Sequence, residues 1–570
     1  MHMHEAYHSR RERQIPASMS LATSRSVLRR HATPDVDYQL TVPAIMRRSA
    51  MLFGGRPIVS RDGGAIHRYT YADMLRRAKQ LAVALGDLGV RPGDRVATLA
   101  SNDRRHLEGY FAVPAMGAVL HTLNVRFHAR DLAHVIEHAD DRVIMVDGRL
   151  LPQFQQLPIP SCVRHVIVMD NGDLPDFPDR AIAYEELLAS ADPDRFDYPD
   201  CDERSAAAMC YTSGTTGLPK GIVYSHRAIA LQALNLLTAD SIGLGQRDVV
   251  LAVVPMFHIN GWCLPYAAAL AGAALVLPGA SLDPKSLVEL VESERVTVSA
   301  GVPTVWLGVL HALAGGSLAG DISSLRALVV GGSAAPKSLV RGFQERYGVC
   351  VLQAWGMTET TSIATLCRLP PDLDEASEDV QYDVRAKQGT PAPYLEVRAR
   401  SLAGLVPWDG VTMGELEVRG PTVASEYYNE PAASDRMTVD GWFRTGDVVT
   451  IDARGYVEIC DRSKDLIRSG GEWIGSVALE NALMGHPAVA EAAVVAVPHP
   501  KWGERPLAVV VLKAGRRASA DDLRQHLAPD FAKSAESTRA AKRSPEETFF
   551  RATFELPGRS PRPRISPTGK

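Results

Sequence analysis

Paired cysteine spacing is missing from this chain of 570 residues. Its seven cysteines, Cys162, Cys201, Cys210, Cys263, Cys350, Cys367 and Cys460, are scattered, odd in number and never in Cys-x-x-Cys order. That argues against a disulfide framework or a structural zinc site, and for a reducing compartment. Charge of one sign is also missing: 62 Lys and Arg stand against 66 Asp and Glu, a net charge of −4. Such a balance gives no electrostatic case for nucleic acid as a partner. Nor is there a long unbroken apolar run. Residues 261–280 carry no charge and are long enough to span a bilayer, but Pro265, Gly272, Pro278 and Gly279 interrupt them. They read as a buried helix followed by a buried strand. Residues 1–33, rich in Arg, Ser and His, lack the apolar core of a secretory signal. Glu5 and Glu12 weaken a transit-peptide reading, and Met19 offers a second start.

What is present is an ordinary globular composition, 46% hydrophobic and 22% charged, on a chain long enough for several domains. Short apolar runs at 94–100, 142–147, 165–170, 248–255, 296–303 and 325–332 read as buried strands. Helical patterns lie between them. In residues 71–88, Met74, Leu75, Ala78, Leu81, Ala82, Leu85 and Leu88 recur at helical spacing. This alternation predicts α/β layers with largely parallel sheets. After Asp461 the texture changes to a small α+β unit. It has a helix from Val477, two strands and a helix over 521–527. From Ser534 the sequence is rich in Arg, Ser and Pro and loses its period, which predicts no packed structure.

The strongest chemical signal is Tyr211-Thr-Ser-Gly-Thr-Thr-Gly-Leu-Pro-Lys-Gly221, after a strand of small residues. Its glycines let the backbone approach a ligand, and the hydroxyls and amides of Thr212, Ser213, Gly214, Thr215, Thr216 and Gly217 form an anion cradle. Lys220 adds a cation. This is not a Walker loop, because Pro219 stands where that pattern needs glycine.

The loop resembles the phosphate signature of the adenylate-forming (AMP-binding) superfamily. Other motifs follow in that superfamily's order: VVPMFHING at 253–261, VVGGSAAP at 329–336, QAWGMTET at 353–360, GWFRTGD at 441–447 and GYVEICDRSKDLIRSGGEWI at 455–474. Residues 35–533 carry the resemblance, and in detail it runs to long- and medium-chain fatty acid–CoA ligases. It implies an α/β fold: a large N-terminal domain of two α/β subdomains and a small β-barrel, then a small mobile α+β lid. The implied boundaries are a basic extension over 1–34, the AMP-binding domain over 35–463, a partial lid over 464–533 and an atypical tail over 534–570.

The resemblance also implies site residues. Thr215 and Glu359 would hold Mg²⁺ as hard oxygen ligands. Trp355 would stack on adenine, with Gly332, Ser333 and Ala334 as the other wall and Gly356, Met357 and Thr358 completing the run to Glu359. Asp447 and Arg462 would hold the ribose. Lys464 would be the hinge, with Arg468 and Trp473 on the nucleotide side; relatives often carry lysine where Arg468 stands. Gly470, Gly471 and Glu472 would line the pantetheine arm of coenzyme A. His258, Trp262, Val302 and Gly356 would line the acyl pocket, with His258 by the carboxylate end. An ionised carboxylate needs no base, so positioning and charge stabilisation would carry the first step. Where acetate enzymes have tryptophan, Gly356 would leave the pocket open.

Relatives end on a lysine-bearing turn that acts in adenylation. Here Lys570, in Pro-Thr-Gly-Lys, is its counterpart with one extra residue, after a stretch unlike the relatives, as in a frameshifted or divergent tail. Its α-carboxylate would sit beside the ammonium and weaken adenylation more than CoA transfer. The implied activity is ATP-dependent ligation of a medium- to long-chain fatty acid to coenzyme A through an acyl-adenylate. It would run in a cytoplasmic protein, and the resemblance to fatty-acid members implies a homodimer. Three alternatives stand beside it: a ligase for a short functionalised acid such as 3-methylmercaptopropionate, a nucleotide-binding pseudoenzyme, and a luciferase-like oxygenase.

Overall fold

A computed structural model of the protein describes residues 38–170, 181–212, 218–431, 440–469, 472–500, 502–513, 515–528 and 549–553. Ser213, Gly214, Thr215, Thr216, Gly217, Gly470, Gly471 and Lys570 lie outside the described residues, as do 1–37 and most of 534–570.

The predicted strands and helices form where the apolar patterning places them. Strands Arg95–Leu99, Asp141–Asp147, His165–Met169, Val249–Leu251, Val298–Gly301 and Ala327–Val330 match the six runs. Helix Tyr71–Asp87 buries Met74, Leu75, Ala78, Leu81, Ala82 and Leu85, the stripe read from the sequence. Thr70 caps it: its hydroxyl accepts from the Asp73 N–H, and the Asp73 carboxylate returns the bond to the Thr70 N–H. Residues 261–280 divide into helix Leu264–Ala271 and strand Ala274–Leu277, separated at Gly272 in left-handed conformation. Among the described residues no helix is long and apolar enough to cross a membrane.

Four sheets organise the chain. Seven strands form one sheet, parallel from Ala181–Ala183 through Ala206–Tyr211 and closed by the antiparallel edge strand Gly221–Ser225. Nine strands form the second, with a parallel centre of Cys350–Met357, Ala327–Val330, Val298–Gly301, Val249–Leu251, Ala274–Leu277 and Pro57–Asp62. Buried strands of this kind are continuously apolar because helices cover both faces. The two sheets are joined by Asn102. Its amide donates to the Ala252 and Val254 carbonyls, both at 2.7 Å, and accepts from the Met256 N–H at 2.7 Å. The expected small barrel is a five-stranded antiparallel sheet, Glu396–Ser401 through Val457–Arg462.

The fourth sheet is the small C-terminal domain. It contains the hairpin Ile467–Ser469 and Glu472–Ile474, and the long pair Val489–His499 and Gly503–Leu512. Its core is Ile467, Leu479, Leu483, Val489, Val494, Ala508, Val510, Leu523 and Leu527. The tail, expected to carry no packed structure, supplies one further strand. Phe549–Thr553 pairs antiparallel with Gly503–Leu512, Leu507 opposite Thr553. The physical reason is local: Phe-Phe-Arg-Ala-Thr is a short aromatic and β-branched run inside an otherwise polar stretch.

Candidate active site

The phosphate-loop sequence connects an antiparallel hairpin. Strand Ala206–Tyr211 is buried along most of its length, and Tyr211 pairs with Gly221 on the return strand. Beyond that pair the Thr212 N–H donates to the Lys220 carbonyl at 2.9 Å, and the Lys220 N–H donates to Thr212 Oγ1 at 3.3 Å. The ends of the loop are thereby clasped. A Cβ at Gly221 would fall 3.0 Å from the Tyr211 ring and 3.2 Å from Tyr428, so glycine is required for the crossing. The loop leaves the carboxyl end of a strand next to the edge of its sheet, the usual place for ligands in α/β folds.

A cavity of about 760 Å³ lies between the large and small domains. Ser333, Trp355, Gly356, Asp447, Arg462 and Lys464 are among its lining residues. Gly332-Ser333-Ala334 follows strand Ala327–Val330 at its carboxyl end, and Gly332 turns at φ +84°. The buried Gln353 side chain accepts the Ala335 N–H at 2.9 Å and fixes that turn. Trp355 comes from the adjacent strand and is buried. Its indole N–H donates to Asp447 Oδ2 at 2.9 Å. Asp447 and Arg462 are cross-strand partners, and Arg462 Nε meets Asp447 Oδ1 at 2.7 Å. The Asp447 carboxylate thus stands as an acceptor in the cavity lining, beside the half-exposed Arg462.

Glu359 sits in the turn after strand Cys350–Met357. Thr361 and Ser362 follow it at φ +54° and +84°, strained for non-glycine residues because this left-handed region favours glycine. The carboxylate is buried, and among the described residues no lysine or arginine pairs with it. A buried carboxylate without a cationic partner is costly and well suited to an added cation. The oxygen chemistry therefore fits Mg²⁺, with Thr215 lying outside the described residues. Sequence reasoning missed Tyr427, whose hydroxyl donates to Glu359 Oε1 at 2.6 Å.

The acyl-pocket residues meet only in part. Trp262 packs against the turn at Gly331, where a Cβ would fall 3.2 Å from its ring, and a Cβ at Gly332 would fall 3.2 Å from Val302. His258 is exposed. The protein around its ring and the Arg126 guanidinium lower its pKa. The segment after it is unusual: Ile259, Asn260, Gly261, Trp262 and Cys263 all have φ between 46° and 59°. A left-handed turn costs L-residues roughly 1–2 kcal/mol each, so the surrounding packing must hold it. Gly356 has a reason of its own to be glycine. The hairpin bulges between Trp355 and Gly356, and a Cβ there would lie 1.7 Å from the Ser362 carbonyl oxygen. The bulge demands glycine whether or not a pocket lies beyond.

Lys464 lies in the passage between Val457–Arg462 and Ile467–Ser469 and lines the cavity. Arg468 and Trp473 face each other across the hairpin, as do Ser469 and Glu472. The side chains of Arg468, Glu472 and Trp473 lie outside the described set.

The description "AMP-binding enzyme" matches residues 46–428, and "AMP-binding enzyme C-terminal domain" matches residues 478–545. The chain belongs to the AMP-binding enzyme family. Within it, this AMP-binding enzyme is 50% identical over 497 residues to a long-chain-fatty-acid–CoA ligase of Thermus thermophilus, covering 86% of this chain and 90% of the relative. It is 41% identical over 504 residues to a medium-chain-fatty-acid–CoA ligase of Ectopseudomonas oleovorans, covering 87% and 91%. It is 43% identical over 491 residues to a 3-methylmercaptopropionyl-CoA ligase of Ruegeria pomeroyi, covering 84% and 88%. A benzoate CoA ligase from Burkholderia xenovorans LB400 has the same fold at TM-score 0.73 and 25% identity, covering 86% of this chain and 94% of that one.

Proposed function

We propose that the protein joins a medium- to long-chain fatty acid to coenzyme A, using ATP and passing through an acyl-adenylate. The observation that carries this reading is the Trp355–Asp447–Arg462 chain at the edge of one interdomain cavity. It offers an aromatic surface beside a bidentate acceptor, as a nucleoside requires. In the first step a carboxylate oxygen of the acid attacks the α-phosphorus of ATP. The P–O bond to pyrophosphate breaks as the mixed anhydride forms. In the second, the thiol sulfur of coenzyme A attacks the acyl carbon, AMP departs and the thiol proton is lost.

Lys220 and the loop amides would hold the phosphates, Asp447 and Arg462 the ribose, and Thr215 with Glu359 a Mg²⁺ ion. When bound, Mg²⁺ would neutralise charge on the phosphate oxygens. Its surroundings and Arg126 lower the pKa of His258, and no base role falls to it because the acid's carboxylate is already ionised. Rotation about Lys464 would let the small domain serve both steps in turn. The cytoplasmic location and the homodimer belong to the same reading and rest on the resemblance.

The experiment is turnover with ATP, Mg²⁺, coenzyme A and saturated acids from acetate to octadecanoate, with acyl-AMP and acyl-CoA read by mass spectrometry. An apolar channel adds about 0.8 kcal/mol per buried methylene, roughly fourfold in kcat/KM, until it is full. A rise of that kind ending at a medium or long chain supports the proposal. A second reading, ligation of 3-methylmercaptopropionate, is favoured by the 43% identity to that ligase. It predicts that this acid outruns every saturated acid. ATP binding without either product would instead indicate a pseudoenzyme.

A further inference from the structure

Residues 422–428 form a strap that ties the Glu359 turn to the hairpin that carries the glycine-rich loop. On one side the Ala424 N–H donates to the Glu359 carbonyl at 2.7 Å, and Thr361 Oγ1 donates to the Thr422 carbonyl at 2.6 Å. On the other, the Tyr428 N–H donates to the Gly221 carbonyl at 2.8 Å. Tyr224, on the hairpin's return strand, donates its hydroxyl to the Thr358 carbonyl at 2.9 Å. Tyr427 stands in the middle with two functional neighbours. Its hydroxyl holds Glu359 Oε1 at 2.6 Å, and the Lys220 ammonium lies 5.0 Å from the centre of its ring. Tyr427 and Glu359 are both buried, so the bond forms where water competes little.

We propose that Tyr427 is the residue that orients the Glu359 carboxylate for Mg²⁺. This rests on the proposed function, which makes Glu359 a metal ligand. One carboxylate oxygen is fixed by the tyrosine, so the other is aimed rather than free to rotate. Outer partners of metal-bound carboxylates commonly change metal affinity about 10- to 100-fold when removed. The stacked Lys220 adds a link: the cation that meets ATP's phosphates rests on the ring whose hydroxyl holds the metal's carboxylate.

The test is Mn²⁺ binding in the presence of ATP, read by electron paramagnetic resonance, with ATP binding in EDTA measured beside it. Tyr427→Phe keeps the ring over Lys220 and removes only the hydroxyl. It is expected to weaken Mn²⁺ at least about tenfold while metal-free ATP affinity stays within about twofold. In a Glu359→Gln background the same change is expected to add almost nothing, because the carboxylate it orients is gone. Should Tyr427→Phe not fold, Glu359→Asp withdraws the carboxylate from the tyrosine and is expected to weaken Mn²⁺ similarly. Mn²⁺ affinity unchanged in Tyr427→Phe, or additive effects in the double variant, would overturn the orienting role alone. Failure of the unaltered protein to bind Mn²⁺ with ATP would overturn the metal reading beneath it as well.

Discussion

Asp447 and Arg462 face each other across an antiparallel strand pair and meet at 2.7 Å, while the other oxygen of Asp447 holds the indole N–H of Trp355. Residues from three separate motifs thus share one carboxylate. Asp447 and Arg462 are neighbours through the antiparallel register of Phe443–Ile451 on Val457–Arg462.

Asp447→Asn preserves the shape and one acceptor for Trp355 but removes the charge that holds Arg462. Hydrogen bonds to charged groups contribute about 1.5–3 kcal/mol. Calorimetric ATP affinity is therefore expected to fall about 10- to 100-fold. Unaltered affinity would remove Asp447 from nucleotide binding.

Gly356→Ala separates two explanations of one glycine. If the residue only keeps a pocket open, one methyl group would trim the preference for long acids and leave stability alone. The 1.7 Å approach to the Ser362 carbonyl predicts the reverse. The hairpin must shift, at a cost of more than about 3 kcal/mol. Thermal unfolding is expected to show a large loss before any change in chain-length preference can be measured.

Much of this was legible in the sequence because the chemistry sits where chain direction changes. The glycine-rich loop, Trp355 and Glu359 lie at or near strand ends, where apolar runs stop and polar residues begin, whereas Asp447 sits mid-strand in Phe443–Ile451 and was legible only through its motif. The two-domain layout was legible for a similar reason: the patterning shifts after Asp461, and the structure starts a new sheet at Ile467. Tyr427 was not legible, because an aromatic residue in a loop has no period to read, and its partner Glu359 lies 68 positions away. The left-handed turn over 259–263 was also hidden. Ile259, Trp262 and Cys263 are poor candidates for positive φ by local preference, and only tertiary packing imposes it.

Acid should destabilise the protein below about pH 6.5. Burial lowers the pKa of His106 and of His226 from 6.5 to about 4. Each therefore stabilises the fold fully above 6.5, and that contribution is lost as pH falls toward 4, because the unfolded chain takes the proton first. Asp103 works in the opposite sense. Burial and the nearby Asp147 raise its pKa from 3.8 to about 6, so stability returns as pH falls through 6. Two histidines against one aspartate leave a net loss. His226→Gln keeps an acceptor for the Val42 N–H that His226 Nδ1 now receives at 3.3 Å. It is expected to reduce the stability lost between pH 7 and 4.5 by about 2–3 kcal/mol, measured by denaturant unfolding at each pH. An unchanged slope would mean that His226 is not titrating there.

Lys570 lies outside the described residues, and its assignment to adenylation rests on the resemblance. Charge stabilisation at a reacting phosphoryl or acyl centre is commonly worth about 10²- to 10³-fold. Lys570→Gln should therefore cut acyl-AMP formation by about that factor, followed by pyrophosphate release. Transfer from synthetic acyl-AMP to coenzyme A should stay within about threefold, since the anhydride is already formed and the lysine has no developing charge to meet. The unaltered protein offers a companion measurement. If its tail weakens adenylation selectively, acyl-AMP formation should trail CoA transfer when each is compared with the same step in a relative whose terminal lysine turn is intact. Equal fractions in both steps would mean that the unusual tail does not limit adenylation, and equal losses in Lys570→Gln would mean that Lys570 acts through folding rather than through the first step.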